Sequence, residues 1–218
     1  MTRIALIHAL AHSVAPINDA LSAAWPEAIR MNLLDDSLSA DLARQTATGA
    51  GGLDEAMHQR FEKLAEYAEG TGADAILFTC SAFGPCIEAA AARRPHMPVL
   101  KPNEAMVADA VALGGRIGLI ASFAPTLASM PAEFPEGVDL ITRLAEGAMD
   151  ALNQGDGARH DALVLRAASQ LRSQGASVIA LAQFSMARAG GLVEHELGMP
   201  VFTTPDSAVR ALQRRLGA

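Results

Sequence analysis

Aromatic residues make up only 4% of this 218-residue sequence, so its core has to be assembled from Ala, Leu, Val, Ile and Met. Charged residues are also sparse, at 19% against 50% apolar, and that balance excludes disorder in favour of a folded globule. The net charge is −7 and no basic cluster interrupts it, which excludes nucleic acid as an expected partner. Long apolar runs are missing as well. Met1-Thr2-Arg3-Ile4-Ala5-Leu6-Ile7-His8 is too short for a signal peptide, and no stretch approaches bilayer length, so no membrane partner and a cytoplasmic location are expected. There the two cysteines, Cys80 and Cys86, stay reduced. With no second Cys or His pair to match them, they do not make a zinc site, and no other metal site is expected. GxGxxG and GxxxxGK[ST] patterns are absent too. The glycine-rich stretch Thr46 to Gly52 does not directly follow a strand, and it reads as a flexible loop rather than a phosphate cradle. No cofactor is implied.

What the sequence does contain is a duplication. Arg3-Ile4-Ala5-Leu6-Ile7 matches Arg116-Ile117-Gly118-Leu119-Ile120, and Gly72-Ala73-Asp74-Ala75-Ile76 matches Gly175-Ala176-Ser177-Val178-Ile179. Pro98-Val99-Leu100 matches Pro200-Val201-Phe202, and Pro102-Asn103-Glu104-Ala105 resembles Pro205-Asp206-Ser207-Ala208. Four matches in one order, about a hundred residues apart, argue for two copies of one unit.

The repeated cores Ile4–Ile7, Ala75–Phe78, Ile117–Ile120 and Val178–Leu181 are short continuous apolar runs, the pattern of strands covered on both faces. Met57, Phe61, Leu64, Ala65 and Ala68 share one face at helical spacing, and Gly70 and Gly72 can end that helix. Leu163, Ala167, Leu171 and Gln174, followed by Gly175, repeat the pattern. Alternating strands and helices predict an α/β fold: two pseudo-symmetric, doubly wound parallel-sheet domains facing each other across a cleft. The first domain spans residues 1–98 and the second 105–204, and a last helix over 206–218 is placed to fold back on the first.

Ligands of open parallel sheets gather at the carboxyl ends of strands. Those ends are His8-Ala9, Thr79-Cys80-Ser81, Ala121-Ser122 and Ala182-Gln183-Phe184-Ser185, and the repeat sets Cys80 against Gln183 and His8 against Ala121. Two roles are open to Cys80. A cysteine after an apolar strand is commonly a small buried hydrophobe. Cys80, however, starts a turn into a helix near Pro85, where backbone N–H groups can lower a thiol pKa and hold an anion. Cys86, inside that helix, reads as packing. His8 is either a satisfied core residue or an acid/base group. Ser122, Thr126 and Ser185 are either helix caps or substrate ligands. His160 and Asp161, at a long polar helix start, read as structural.

Gly72-Ala73-Asp74-Ala75-Ile76-Leu77-Phe78-Thr79-Cys80-Ser81 resembles the first cysteine motif of the aspartate/glutamate/hydantoin racemase superfamily. Pro98-Val99 to Ala105 and Gly114-Gly115-Arg116-Ile117-Gly118-Leu119-Ile120-Ala121 are similar to that family's passage into its second domain. The resemblance spans nearly the whole chain. It implies two pseudo-symmetric α/β domains, no cofactor, and common oligomerisation, hence a possible homo-oligomer. In the racemases two cysteines on opposite faces of the substrate exchange the α-proton. Arylmalonate decarboxylases and maleate cis–trans isomerases are relatives, some with only one of the cysteines.

The sequence departs from the pattern in two places. Gln183 stands where the second cysteine belongs, and Ser81-Ala82 replaces the Asn-Thr that often follows the first. A glutamine amide has no accessible proton-transfer pKa, so Gln183 is no general base. The resemblance therefore implies a racemase- or epimerase-like enzyme acting at the α-carbon of a small carboxylate through Cys80. Gln183 and Ser185 would hydrogen-bond the substrate, Thr79, Ser81, Ser122 and Thr126 would line its site, and His8 would be the candidate second acid/base. A single-cysteine decarboxylase or isomerase is the alternative within enzymes, and a non-catalytic small-molecule binder lies outside them.

Overall fold

Each of the four apolar runs is an inner strand with both faces covered. The computed structural model describes residues 1–47 and 52–218; Thr46 ends up within a helix, and residues 48–51 of the glycine-rich stretch lie outside the described residues. The chain begins with β1 (Arg3–His8), α1 (Val14–Ala24), β2 (Ile29–Leu34), α2 (Ser37–Ala47), α3 (Glu55–Gly70), β3 (Ala75–Phe78), α4 (Gly84–Ala92) and β4 (Val99–Leu100). It continues with α5 (Glu104–Leu113), β5 (Ile117–Ala121), α6 (Ala124–Ser129), β6 (Leu140–Leu144), α7 (Ala148–Asn153), α8 (Gly157–Ser173), β7 (Val178–Leu181), α9 (Gly190–Leu197), β8 (Val201–Thr203) and α10 (Thr204–Leu216). The protein is α/β, with two four-stranded parallel sheets of identical topology, β2-β1-β3-β4 and β6-β5-β7-β8. Two compact units contain them: Met1–Pro102 with Ala208–Ala218, and Asn103–Ser207.

In the first unit, Ile4, Ala5 and Leu6 of β1 and Ala75, Ile76 and Leu77 of β3 are fully buried, as a strand between helical layers requires. The predicted helix face is the one that packs: Met57, Phe61, Ala65 and Ala68 of α3 are buried. Phe61 stacks on Phe78 at 5.3 Å between ring centroids and meets Phe83 at 4.9 Å, so three of the few aromatic rings share one cluster. Cys86 of α4 is buried in the same cluster and packs there, as expected. Gln213 of α10 donates to the Ala24 carbonyl at 3.0 Å within this unit.

The second unit repeats the design down to individual bonds. Arg3 at the start of β1 donates to the Thr71 carbonyl past the end of α3, and Arg116 before β5 donates to the Gln174 carbonyl past the end of α8, at 2.9 Å. Gly72 and Gly175 follow those carbonyls with φ of +77° and +92°, a left-handed backbone that closes the helix end and favours glycine. These shared caps explain why the Arg-Ile and Gly-Ala segments recur in the sequence.

Strand register fixes which positions correspond. Ile7 pairs with Phe78 and Ile120 with Leu181. One step on, the Thr79 N–H donates to the Ile7 carbonyl at 3.0 Å and the Ala182 N–H to the Ile120 carbonyl at 2.9 Å. Cys80 and Gln183 therefore occupy the same place at the carboxyl ends of their sheets, as do His8 and Ala121.

Candidate active site

The first unit brings His8, Thr79 and Cys80 together at the carboxyl ends of neighbouring strands β1 and β3. Cys80 has extended backbone (φ −125°, ψ 117°) and precedes a single 3₁₀ turn, Ser81–Phe83, that leads into α4. It is half-buried. Burial pushes its thiol up to about 11, against the opposing pull of hydrogen bonds from the Ala82 backbone and the Ser39 side chain. Burial therefore favours the thiol over the thiolate at neutral pH. Cys86 is held at about 11 too, by burial and the nearby Asp54 charge. With both thiols at similar pKa, access decides alkylation. Iodoacetate should label the half-buried Cys80 faster than the 1%-exposed Cys86, and equal labelling in the folded protein would contradict this arrangement.

His8 is fully buried and uses both ring nitrogens. Nδ1 lies 2.8 Å from Thr79 Oγ1 and Nε2 lies 2.9 Å from Asn32 Oδ1. The Asn32 oxygen also accepts from Asn18 Nδ2 at 2.8 Å, while Asn32 Nδ2 donates back to Asn18 Oδ1 at 3.2 Å. Because Asn32 Oδ1 only accepts, Nε2 carries the proton, and Thr79 Oγ1–H, which also has the Ile7 carbonyl at 3.3 Å, donates to the nearer Nδ1. Burial lowers the His8 pKa, and the Asn32 bond opposes that shift more weakly. Folded His8 thus stays neutral at a pH where the unfolded chain takes up a proton. Its stabilising share is complete above about pH 6.5 and is lost as pH falls below that value. His8→Gln should therefore flatten the acid limb of the Tm–pH profile; an unchanged limb would show that His8 is not held neutral.

In the second unit the corresponding place is occupied by a locked amide. Gln183 is 8% exposed, and its Oε1 accepts from the Ser122 backbone N–H at 2.6 Å and from Ser122 Oγ at 3.0 Å. The backbone N–H can only donate, so the amide orientation is fixed and Nε2 is left to donate elsewhere. Ser122 spends both donors on Gln183 and does not cap α6. Thr126, within α6, and Ser185, in the 3₁₀ segment Phe184–Ala189, are buried without capping those elements. His160 and Asp161 act structurally: His160 Nδ1 lies 2.8 Å from Asp161, which also accepts from Arg188 Nε at 2.8 Å, joining α8 to the segment after Gln183.

Two residues that sequence reasoning missed belong to the first cluster. Asn32 sits on a strand too polar to be read from periodicity, and Ser39 lies within an amphipathic helix with no motif around it. Among the described residues, no group of three or more His, Cys, Asp or Glu could hold a metal ion. No helix among them is long and apolar enough to cross a membrane.

The Asp/Glu/hydantoin racemase family model matches residues 11–212, a span that includes Cys80 and Gln183. The chain belongs to that family. Solved structures share its fold at low identity. Aspartate racemase from Picrophilus torridus is similar with a TM-score of 0.75 and 12% identity, over 100% of this chain and 95% of its own. Allantoin racemase from Klebsiella pneumoniae gives 0.69 and 18%, over 100% and 88%. A glycine-to-cysteine mutant of arylmalonate decarboxylase, in a sulfate-associated form, gives 0.66 and 18%, over 99% and 94%. No curated protein sequence matches the chain. Within the family pattern, this member has a thiol at the end of β3 and an amide, oriented by Ser122, at the end of β7.

Proposed function

We propose that this protein is a cofactor-independent enzyme acting at the carbon α to the carboxylate of a small acid, with Cys80 as its proton-transferring group. The observation that carries this reading is the asymmetry of two register-equivalent positions: a thiol that rests protonated at one, and a locked, non-titrating amide at the other. That asymmetry favours the one-thiol form of the chemistry. Loss of carbon dioxide leaves the electron pair of the broken C–C bond on carbon as a carbanion or enolate without a base, and a single acid then completes the reaction. Cys80 Sγ–H gives its proton to that carbon and the resulting thiolate recovers a proton from water. Stabilising the enolate oxygen is the chief energetic demand, and the backbone N–H groups at the turn that follows Cys80 are the fixed donors proposed to meet it without reorganising. His8, with both nitrogens engaged, holds Thr79 in place beside Cys80. Racemisation or epimerisation is the second reading, favoured by the family and by the racemases among its structural neighbours. It requires a further base. A cytoplasmic setting accords with both cysteines working as thiols.

The test is a panel of malonates, hydroxy acids, amino acids and hydantoins incubated in deuterated water. A malonate-type substrate should lose carbon dioxide and gain one deuterium at the α-carbon, or one enantiomer alone should exchange. Binding without deuterium uptake by any class would instead support a non-catalytic binder. Activity should survive chelation and exhaustive dialysis. Loss to chelator with recovery on one added metal would overturn the cofactor-independent assignment.

A further inference from the structure

The side chains of Asn18, Asn32, His8 and Thr79 form one hydrogen-bonded chain whose direction is set at its outer end. The Val14 carbonyl can only accept, so the atom facing it at 2.7 Å is the Asn18 Nδ2 donor. The same nitrogen donates to Asn32 Oδ1 at 2.8 Å, and Asn32 Nδ2 donates back to Asn18 Oδ1 at 3.2 Å. Both amides are thereby oriented by a single main-chain carbonyl. Asn32 turns its oxygen, and not its amide nitrogen, to His8 Nε2 at 2.9 Å.

The inner end of the chain has two possible directions. Thr79 Oγ1 lies 2.8 Å from His8 Nδ1 and 3.3 Å from the Ile7 carbonyl. In one state Thr79 donates to Nδ1, and the ring carries its proton on Nε2. In the other, Thr79 donates to Ile7 and accepts from a protonated Nδ1, which leaves a lone pair on Nε2. His8 is fully buried, whereas Asn32 is exposed. The second state would turn the basic lone pair of the ring outward, to the side from which water arrives. The first turns it inward, against Thr79. Asn32 Oδ1 can pair only with the first.

Helix α1 and strand β2 are tied together around this pair. Arg30 shares a face of β2 with Asn32, two positions on, and its Nη1 donates to the Asn18 carbonyl at 3.1 Å and to Ser22 Oγ. We propose that Asn18 and Asn32 are positioning residues that hold His8 in its Nε2–H tautomer and so keep it from acting as a second base beside Cys80. No proton passes along the amides, which have none to give near neutral pH. The pair selects which ring nitrogen carries the proton. This inference rests on Cys80 being the one proton-transferring group, and its test reads the resting protein without substrate.

The readout is the long-range proton–nitrogen correlation spectrum of the histidine rings in isotope-labelled protein at about pH 8, above the ordinary histidine range. The His8 signals are identified by their loss in His8→Gln. Wild type should show Nε2 protonated and Nδ1 bare. Asn32→Leu, at an exposed position whose replacement spares the core, removes the acceptor, and the Nδ1–H tautomer should appear. Asn18→Ala frees the Asn32 amide to turn and should produce the same tautomer to a smaller extent. Asn32→Asp keeps an acceptor oxygen and should keep the proton on Nε2. A bare Nε2 in wild type overturns the proposal. So does a wild-type spectrum in either Asn32→Leu or Asn18→Ala, or loss of the Nε2 proton in Asn32→Asp. These failures would leave the role of Cys80 in turnover intact, whereas an active Cys80→Ser enzyme would remove that role and leave the ring spectra as they are.

Discussion

Cys80→Ser should lower kcat by about 10²–10⁴-fold, the usual contribution of a positioned general acid, while leaving the fold and the Tm nearly unchanged. The size of the effect follows from chemistry. Serine keeps the shape but is a far weaker acid, so the carbanion has no proton source at that position. The small effect on folding follows from position, because Cys80 is half-buried at the end of β3 and not in the interior of the ring cluster that holds Cys86. Turnover by Cys80→Ser at near wild-type rate would take Cys80 out of the mechanism. The same comparison at Cys86, by Cys86→Ala, should cost stability with little effect on kcat in the enzyme that remains folded.

Gln183→Cys should produce the second large effect, the appearance of inversion where wild type shows one-sided proton transfer. By strand register Gln183 holds the place that Cys80 holds in the first sheet, the place where the resemblance of the sequence leads one to expect a second cysteine. On the proposed function, a thiol there is the second acid/base group that racemisation requires, and no gain of inversion would count against that part of the proposal. The ratio of inversion to exchange, read by chiral chromatography alongside deuterium incorporation, should rise by about an order of magnitude or more. Gln183→Glu is the complementary change. It keeps an oxygen for the Ser122 N–H but replaces the Nε2 donor with an acceptor, so on the proposed function binding of an anionic substrate should weaken and KM rise, and an unchanged KM would mean that Nε2 makes no contact with substrate.

The inner strands β1, β3, β5 and β7 were legible because burial on both faces writes a continuous apolar run, and the duplicated Arg-Ile and Gly-Ala segments mark a helix cap used twice. The edge strands were not. β2 is Ile-Arg-Met-Asn-Leu-Leu with most of its residues exposed or half-exposed, and β6 carries Thr142 and Arg143. Neither has the apolar continuity of a buried strand or a clean alternation. β4 and β8 are so short that they registered only as Pro-Val matches between the halves. The cost of missing β2 falls on the site, because Asn32, which completes the hydrogen bonding of His8, lies on that strand. Cys80 and Gln183 stood out because each follows an apolar run.

The most direct test of the one-thiol account is the configuration of product formed in deuterated water by the wild-type enzyme. A prochiral malonate-type substrate, or each enantiomer of an exchanging acid taken separately, should give deuterium delivered to a single face, with the opposite enantiomer inert or released unlabelled. Equal inversion of both enantiomers, unchanged in His8→Ala, would contradict the account and require another base opposite Cys80.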